Sequence, residues 1–311
     1  MPAAELLERR LIVVSGKGGV GRTTFAAALA RAGVRSGRRV LLAQMDSPQR
    51  LGRMLGSATP IGPEITALGD GLHAVNMTPK SALHEYALMV LRYETLYRAL
   101  FENKAVRGFL GAVPGLDAYA MLGKTWWHTG ELVDGRPKYD LVVLDAPASG
   151  HAARMLTIPQ AILSAMPKGP LARDAGAIRA LLSDPARAAF VIVTLAEDLP
   201  ARETAELARE LRGNQLMPLG PLVVNALPSA AFAAPALGSL LDAVPEATGA
   251  AALDSTLAGA RLLRARRRDA ERVLTGLRDD PGLPIVELPR LPATDLGPAD
   301  IDELAGILLA Q

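Results

Sequence analysis

The sequence predicts an α/β fold built on a doubly wound, mostly parallel sheet, with a helical insertion. Short apolar segments alternate with helical patterns along the chain, as parallel strands joined by crossover helices do. The chain is 50% hydrophobic but only 4% aromatic, a composition that suits buried parallel strands. Polar residues follow several of these segments, at the strand ends where such sheets bind ligands. Together these observations favour a ligand-binding α/β protein.

The individual elements follow from apolar runs and their periodicity. Strands are predicted at Leu11–Val14, Val40–Gln44, Leu72–Asn76, Leu141–Leu144, Ala189–Thr194, Leu219–Asn225 and Pro284–Leu288. Helical patterns fit between most of them, and residues 1–311 are predicted to form one domain.

Residues 81–134 interrupt this alternation and predict a helical insertion. Apolar residues recur at helical spacing at Leu83, Tyr86, Met89, Tyr93, Leu96 and Leu100. A second helical stretch follows Pro114 and includes Trp126 and Trp127. Two interpretations remain open: the apolar stripe packs onto the sheet or its own hairpin, or it forms an exposed surface for a protein client.

Charge and residue usage exclude several classes of function. With 34 basic and 32 acidic residues, the net charge of +2 produces no field that would attract nucleic acid. The basic run from Arg261 to Arg272 is interpreted as the solvated face of a helix rather than a polyanion site. The chain has no cysteine, which rules out disulfides and thiolate metal sites. Without a signal peptide pattern or a long apolar run, we expect a cytoplasmic protein with no transmembrane segment.

The most informative motif is the sequence SGKGGVGRTT, which follows the first predicted strand and precedes a helix. It fits the phosphate-binding pattern G-x-x-x-x-G-K-[ST], whose backbone N–H groups cradle phosphates, except that Arg22 replaces the lysine. Thr23 is placed to give Mg²⁺ a hydroxyl ligand. The predicted nucleotide-binding residues of this loop are Gly16, Lys17, Gly18, Gly19, Val20, Gly21, Arg22, Thr23 and Thr24.

A second motif, VVLDAPASGH, ends another predicted strand at Asp145. An apolar strand that ends in an aspartate is the Walker B arrangement, which holds Mg²⁺ directly or through water. Aspartate at a strand end also serves as a turn or helix cap. The glycine and histidine that follow, Gly150 and His151, favour the nucleotide-site interpretation.

Taken in order, these motifs resemble the ArsA/GET family of P-loop ATPases. The resemblance rests on SGKGGVGRTT, MDSPQRL, DAPASGHAARMLTIP, VVNAL and LPRLP, which span nearly the whole chain. VPGLDAYAMLGKTWW is similar to a helical segment of bacterial members. That family includes the arsenite-pump ATPase and the ATPase that delivers tail-anchored membrane proteins. The resemblance implies ATP or ADP and Mg²⁺ as ligands.

The resemblance also implies catalytic roles. Lys17 is similar to the family's signature lysine, which reaches across a dimer interface to the partner's nucleotide. Asp46 corresponds to the aspartate that positions the attacking water, and Arg22 would stabilise the phosphoryl charge. Thr23 and Asp145 would bind Mg²⁺, either directly or through a water molecule.

Two further groups complete the implied site. Switch II would comprise Asp145, Pro147, Gly150 and His151, with the histidine structural rather than a general base. Asn225 resembles the asparagine that recognises the adenine edge, and Pro289 and Arg290 would line the base pocket.

Departures from the family pattern separate the hypotheses. Because the chain has no cysteine, arsenite coordination by thiolates and a CxxC zinc bridge are both excluded. The leading hypothesis is a dimeric Mg·ATP-dependent switch, a homodimer or a heterodimer with a related ATPase, with a protein client on the helical insertion. Arg22 motivates the alternative, a catalytically weak regulatory subunit paired with a related ATPase. A positioning ATPase of the MinD/ParA type is a third hypothesis, without support from a basic membrane-binding helix.

Overall fold

The computed structural model of the chain describes residues 3–47, 50–91, 115–245 and 248–311. Its central sheet has eight strands in the order β10-β9-β8-β1-β7-β2-β4-β3. The neighbouring strands are parallel except at the β3–β4 edge, so the predicted doubly wound, mostly parallel fold is confirmed. The strands are β1 Leu11–Gly16, β2 Val40–Met45, β3 Thr66–Ala67, β4 Leu72–Met77, β7 Leu141–Asp145, β8 Ala188–Leu195, β9 Leu219–Leu227 and β10 Ile285–Pro289, with a separate hairpin of β5 Leu132–Val133 and β6 Arg136–Pro137.

Helices cover both faces of this sheet. They are α1 Ala3–Leu6, α2 Arg22–Arg35, α3 Arg50–Met54, α4 Pro79–Leu91, α5 Leu116–Gly130, α6 Ser149–Ala165, α7 Pro170–Leu182, α8 Asp198–Gly213, α9 Pro235–Ala243, α10 Ala251–Asp279 and α11 Pro298–Ala310. Alternate residues of β1 show why two layers form. Leu11 and Val13 pack into the core on the side of α5 to α8, whereas Ile12 and Val14 pack against α2 and α11.

The predicted insertion corresponds in part to α4 and α5, followed by the β5–β6 hairpin. Tyr86 is only 4% exposed and lies edge-on against Tyr119 of α5, with a ring distance of 5.5 Å. The packing interpretation therefore holds for Tyr86. Residues 92–114 lie outside the described part of the chain, and with them the predicted stripe positions Tyr93, Leu96 and Leu100.

The basic run lies on α10, but its expected role as a solvated face is wrong for several arginines. Arg261 donates to the carbonyls of Leu241 and Val244 at 2.9 and 2.7 Å. Arg264 and Arg267 likewise donate to main-chain carbonyls, at 3.0 Å each. Guanidinium groups can satisfy carbonyls that helix and turn ends leave unpaired. These arginines therefore attach the 228–244 segment to α10.

Among the described residues, no helix combines the length and the apolar character that crossing a bilayer requires.

Candidate nucleotide site

The glycine-rich loop joins β1 to α2 at the carboxyl edge of the sheet. A Cβ at Gly16 would lie 2.1 Å from the carbonyl oxygen of Val193, so β8 leaves no room for a side chain there. Gly21 has a φ of 91°, and a Cβ there would lie 2.0 Å from Nδ2 of Asn225. Both positions therefore require glycine for the loop to follow this path.

Backbone N–H groups of this loop are available to an anion. Within the described residues, the amides of residues 18–24 donate to no other backbone group. Gly21 is the N-cap of α2 and provides no side-chain cap, so the first-turn amides also lack an internal partner. Unpaired amides at a helix N-terminus attract phosphate through their partial positive charge.

Asp145 lies at the centre of a buried hydrogen-bond network. Its Oδ2 accepts from Oγ1 of Thr23 at 2.6 Å and from Nε2 of Gln44 at 2.9 Å. Asp145 is 4% exposed, and this burial raises the pKa of its carboxyl group, although both hydrogen bonds and the nearby Arg22 charge oppose the rise. A hydroxyl and a carboxylate are oxygen donors of the kind that Mg²⁺ prefers, so the pair fits that ion.

Gln44 is a member of this network that sequence reasoning missed. It lies within the buried strand β2, where a polar residue between apolar neighbours is the only signal. Its amide orients the Asp145 carboxylate and partly offsets the cost of burying it.

Three hydrogen bonds connect β1 and α2 to the start of switch II. Arg22 donates through Nη1 to the carbonyl oxygen of Ala146. Oγ of Ser15 donates to the carbonyl of Pro147 at 2.6 Å, and the Ala146 amide donates to Val14 at 2.9 Å. The guanidinium that replaces the Walker lysine is therefore engaged with switch II in this structure.

The remaining switch II residues lie at the first turn of α6. Gly150 and His151 are both exposed there. The described contacts of their polar groups are local: the Gly150 carbonyl accepts from Arg154, and the His151 amide donates to Ala148. Nothing in this arrangement gives His151 a general-base role.

Asp46 follows β2 directly and is exposed. Its φ of 43° lies in the left-handed region, which aspartate tolerates better than most residues. Its amide donates to the carbonyl of Met77 at 2.8 Å, and Ser47 is held by the side chain of Asn76. The carboxylate therefore projects from a turn that the end of β4 supports.

Lys17 has a partner within its own chain. Its Nζ lies 2.6 Å from Oε1 of Glu203 on α8, and both side chains are about a third exposed. Its reach across a dimer interface stays a prediction.

Asn225 connects the loop to a neighbouring cavity. Its Nδ2 donates to the carbonyl of Val20 at 2.9 Å. The cavity beside it measures about 500 Å³ and is lined by the ends of β8 and β9 and by α10. Arg290 lines this cavity and Pro289 does not, and the role of both in a base pocket stays a prediction. Four residues of α10 that the sequence analysis did not assign to a nucleotide site also line it: Arg266, Asp269, Arg272 and Val273.

Known proteins match the part of this chain that contains the glycine-rich loop and switch II. A family model for anion-transporting ATPases matches residues 9–174, more than half of the 311 residues. The ATPase BagA of Mycobacterium tuberculosis is 32% identical over 222 residues, which cover 70% of this chain and 64% of BagA. The chain thus spans less than two thirds of that relative.

More distant relatives carry related names. A protein of Halobacterium salinarum named as an arsenical pump-driving ATPase is 28% identical over 240 residues, 71% of this chain and 36% of that protein. The ATPase GET3 of Lachancea thermotolerans is 24% identical over 250 residues, 70% of this chain and 71% of GET3. The matched region includes the phosphate-binding loop, Asp46 and switch II, which the sheet brings to one edge. This chain therefore belongs to the anion-transporting ATPase (ArsA) family of P-loop ATPases.

Proposed function

We propose that this chain binds Mg·ATP at the loop between β1 and α2 and hydrolyses it as a dimeric switch. The observation that carries the proposal is the Thr23–Asp145–Gln44 network directly beneath a loop with unpaired amides. Phosphate oxygens would accept from the loop amides, and Thr23 and Asp145 would hold Mg²⁺ directly or through water. The cavity beside Asn225 has the size and position for the base.

Three charged residues would have different roles in hydrolysis. Asp46 would orient the attacking water, and Lys17 and Arg22 would stabilise charge on the γ-phosphoryl group. Mg²⁺ when bound would neutralise charge on the β- and γ-phosphates. Nucleotide-dependent movement of Asp46 and switch II would then be transmitted to a partner, a protein client at the helical insertion or a second ATPase subunit.

A second candidate is favoured by the contact between Arg22 and Ala146. If Arg22 stays on the switch II carbonyl when nucleotide is bound, the γ-phosphate loses the cation that normally positions it. A small displacement of a reacting group can lower a rate by roughly 100-fold. The chain would then be a nucleotide-binding regulatory subunit of a related ATPase.

One experiment distinguishes the two candidates. Phosphate release from Mg·ATP is measured for the wild type, Arg22→Lys and Asp46→Asn, with Asp134→Asn in the β5–β6 turn as the matched control. Turnover that Asp46→Asn lowers by roughly 100-fold, with the control unchanged, supports the enzyme. Nucleotide binding without turnover, restored by Arg22→Lys or by an added related subunit, supports the regulatory subunit instead.

A further inference from the structure

Asn76 makes a two-way contact with the backbone that follows Asp46. Its Oδ1 accepts from the amide of Ser47 at 3.1 Å, and its Nδ2 donates to the carbonyl of Ser47 at 2.9 Å. The side chain is 7% exposed, so water competes little for these bonds. Asn76 therefore provides Ser47 with the donor and the acceptor that a neighbouring strand would provide.

The chain needs such a contact at this place. The β2–β4 ladder ends at Met45 and Met77, so Asp46 and Ser47 already lie outside the sheet. Asp46 has a positive φ, a conformation that costs some free energy even for aspartate and that contacts with the surrounding structure can stabilise. The surroundings here are the Met77 carbonyl, which accepts from Asp46, and the Asn76 amide, which fixes the next peptide.

Asn76 is itself held firmly. It lies inside β4, and its backbone amide donates to the carbonyl of Gly62 at 2.8 Å on the side away from β2. Its side chain can therefore transfer the rigidity of the sheet to the Asp46–Ser47 backbone.

We propose that Asn76 is a positioning residue that sets the orientation of Asp46 by fixing the Ser47 peptide. The inference rests on the proposed function, in which Asp46 orients the attacking water. Asn76 does not touch nucleotide in this scheme, so its loss should affect the chemical step and leave binding unchanged.

The asparagine side chain suits this role because its terminal amide carries both a hydrogen-bond donor and an acceptor. Asn76→Asp keeps the acceptor for the Ser47 amide but places a second oxygen against the Ser47 carbonyl. Asn76→Leu has a similar size and removes both bonds. The first variant therefore replaces one hydrogen bond by repulsion between two oxygens, and the second removes both hydrogen bonds.

The test combines kinetics with hydrogen exchange. For Asn76→Leu and for Asn76→Asp we expect kcat to fall by roughly 10- to 100-fold. KM and the affinity for a non-hydrolysable ATP analogue should change less than about twofold. The matched control is Asn214→Asp, at the end of α8, where the exposed side-chain amide donates to the Glu210 carbonyl. An unchanged kcat in both Asn76 variants would overturn the proposal. So would a rise in KM as large, in fold-change, as the fall in kcat.

Hydrogen exchange at the Ser47 amide tests the proposed contact even if the protein does not hydrolyse ATP. The Ser47 amide should exchange faster in Asn76→Leu than in the wild type, and the control should leave it unchanged. A wild type without turnover would refute the hydrolytic function, and the exchange result alone would then decide on Asn76. Equal exchange in Asn76→Leu and the wild type would show that Asn76 does not hold this peptide.

Discussion

At the scale of single residues, Asp145 shows how a proposed Mg²⁺ ligand can oppose stability. Burial raises the pKa of its carboxyl group, which means that the charged form is costly in the folded protein. Thr23 and Gln44 reduce that cost without removing it. The chain therefore keeps a charged group here at the expense of folding free energy, as metal-binding sites do.

Asp145→Asn should accordingly raise stability and lower activity. The amide oxygen can still accept from Thr23 and Gln44, while the buried charge disappears. We expect Tm to rise by roughly 2–4 °C at neutral pH, and Mg²⁺-dependent turnover to fall by roughly 100-fold. Calorimetry and phosphate release measure the two effects, and Asp134→Asn in the β5–β6 turn serves as the control.

The stability gain of Asp145→Asn should also depend on pH. The pKa of Asp145 is higher in the folded than in the unfolded chain, so the folded wild type takes up its proton first as the pH falls. As the pH falls from that raised pKa to the ordinary aspartate pKa, protonation of Asp145 stabilises the folded wild type. The asparagine variant has no such proton to take up, so its stability does not rise in this way. The difference in Tm should therefore shrink towards acid pH. A difference that is constant with pH would contradict a raised pKa.

Sequence reasoning located the glycine-rich loop after β1 and Asp145 at the end of β7, because glycine spacing and an apolar run that ends in aspartate are local signals. It missed Gln44 and Asn76, since an amide inside or at the end of a strand has many structural uses. Their partners lie 101 and 29 residues away, which no local pattern encodes.

At the scale of elements, an ion pair between a buried lysine and a partly exposed glutamate connects the two described helices of the insertion. Nζ of Lys124 on α5 lies 2.8 and 2.7 Å from the carboxylate oxygens of Glu85 on α4. The lysine side chain is 2% exposed, and its amine also lies 3.3 Å from the carbonyl of Pro63, in the segment after α3. One cation thus joins α4, α5 and the segment that follows Asp46.

Lys124→Met should destabilise the protein by about 1–2 kcal/mol, less than the ~3–5 kcal/mol for a fully buried pair. The smaller value follows because the Glu85 side chain is 37% exposed and can be rehydrated. Urea unfolding measures the change. The control is Arg53→Met, since the Arg53–Asp295 pair is exposed and should leave the unfolding midpoint unchanged. Equal losses in both variants would show that burial does not strengthen the pair.

The predicted strands all occur in the structure, because apolar runs bounded by polar residues are strong signals in a parallel sheet. The short strands β3, β5 and β6 were not predicted, since two residues carry no periodicity. The arginines of α10 show a different limit. Their charge predicts exposure, but a guanidinium on a long apolar stem can reach a carbonyl while partly buried.

At the scale of the whole molecule, the Lys17–Glu203 pair bears on assembly. Under the proposed function, Lys17 must leave Glu203 before it can contact nucleotide in a partner subunit. Glu203→Gln should then promote ATP-dependent dimerisation, and Lys17→Ala should weaken it. Light scattering with and without Mg·ATP measures the molecular mass. Glu206→Gln on the exposed side of α8 is the control, and equal behaviour of the two glutamine variants would argue against competition for Lys17.

The same ion pair makes assembly sensitive to ionic strength. Lys17 and Glu203 are each about a third exposed, so dissolved salt screens their attraction. A contact between Lys17 and a phosphate enclosed by two subunits would be screened much less. Moderate salt should therefore release the lysine more than it weakens the assembled state. Such a protein would associate more readily as salt rises, opposite to the behaviour of subunits held by exposed charges.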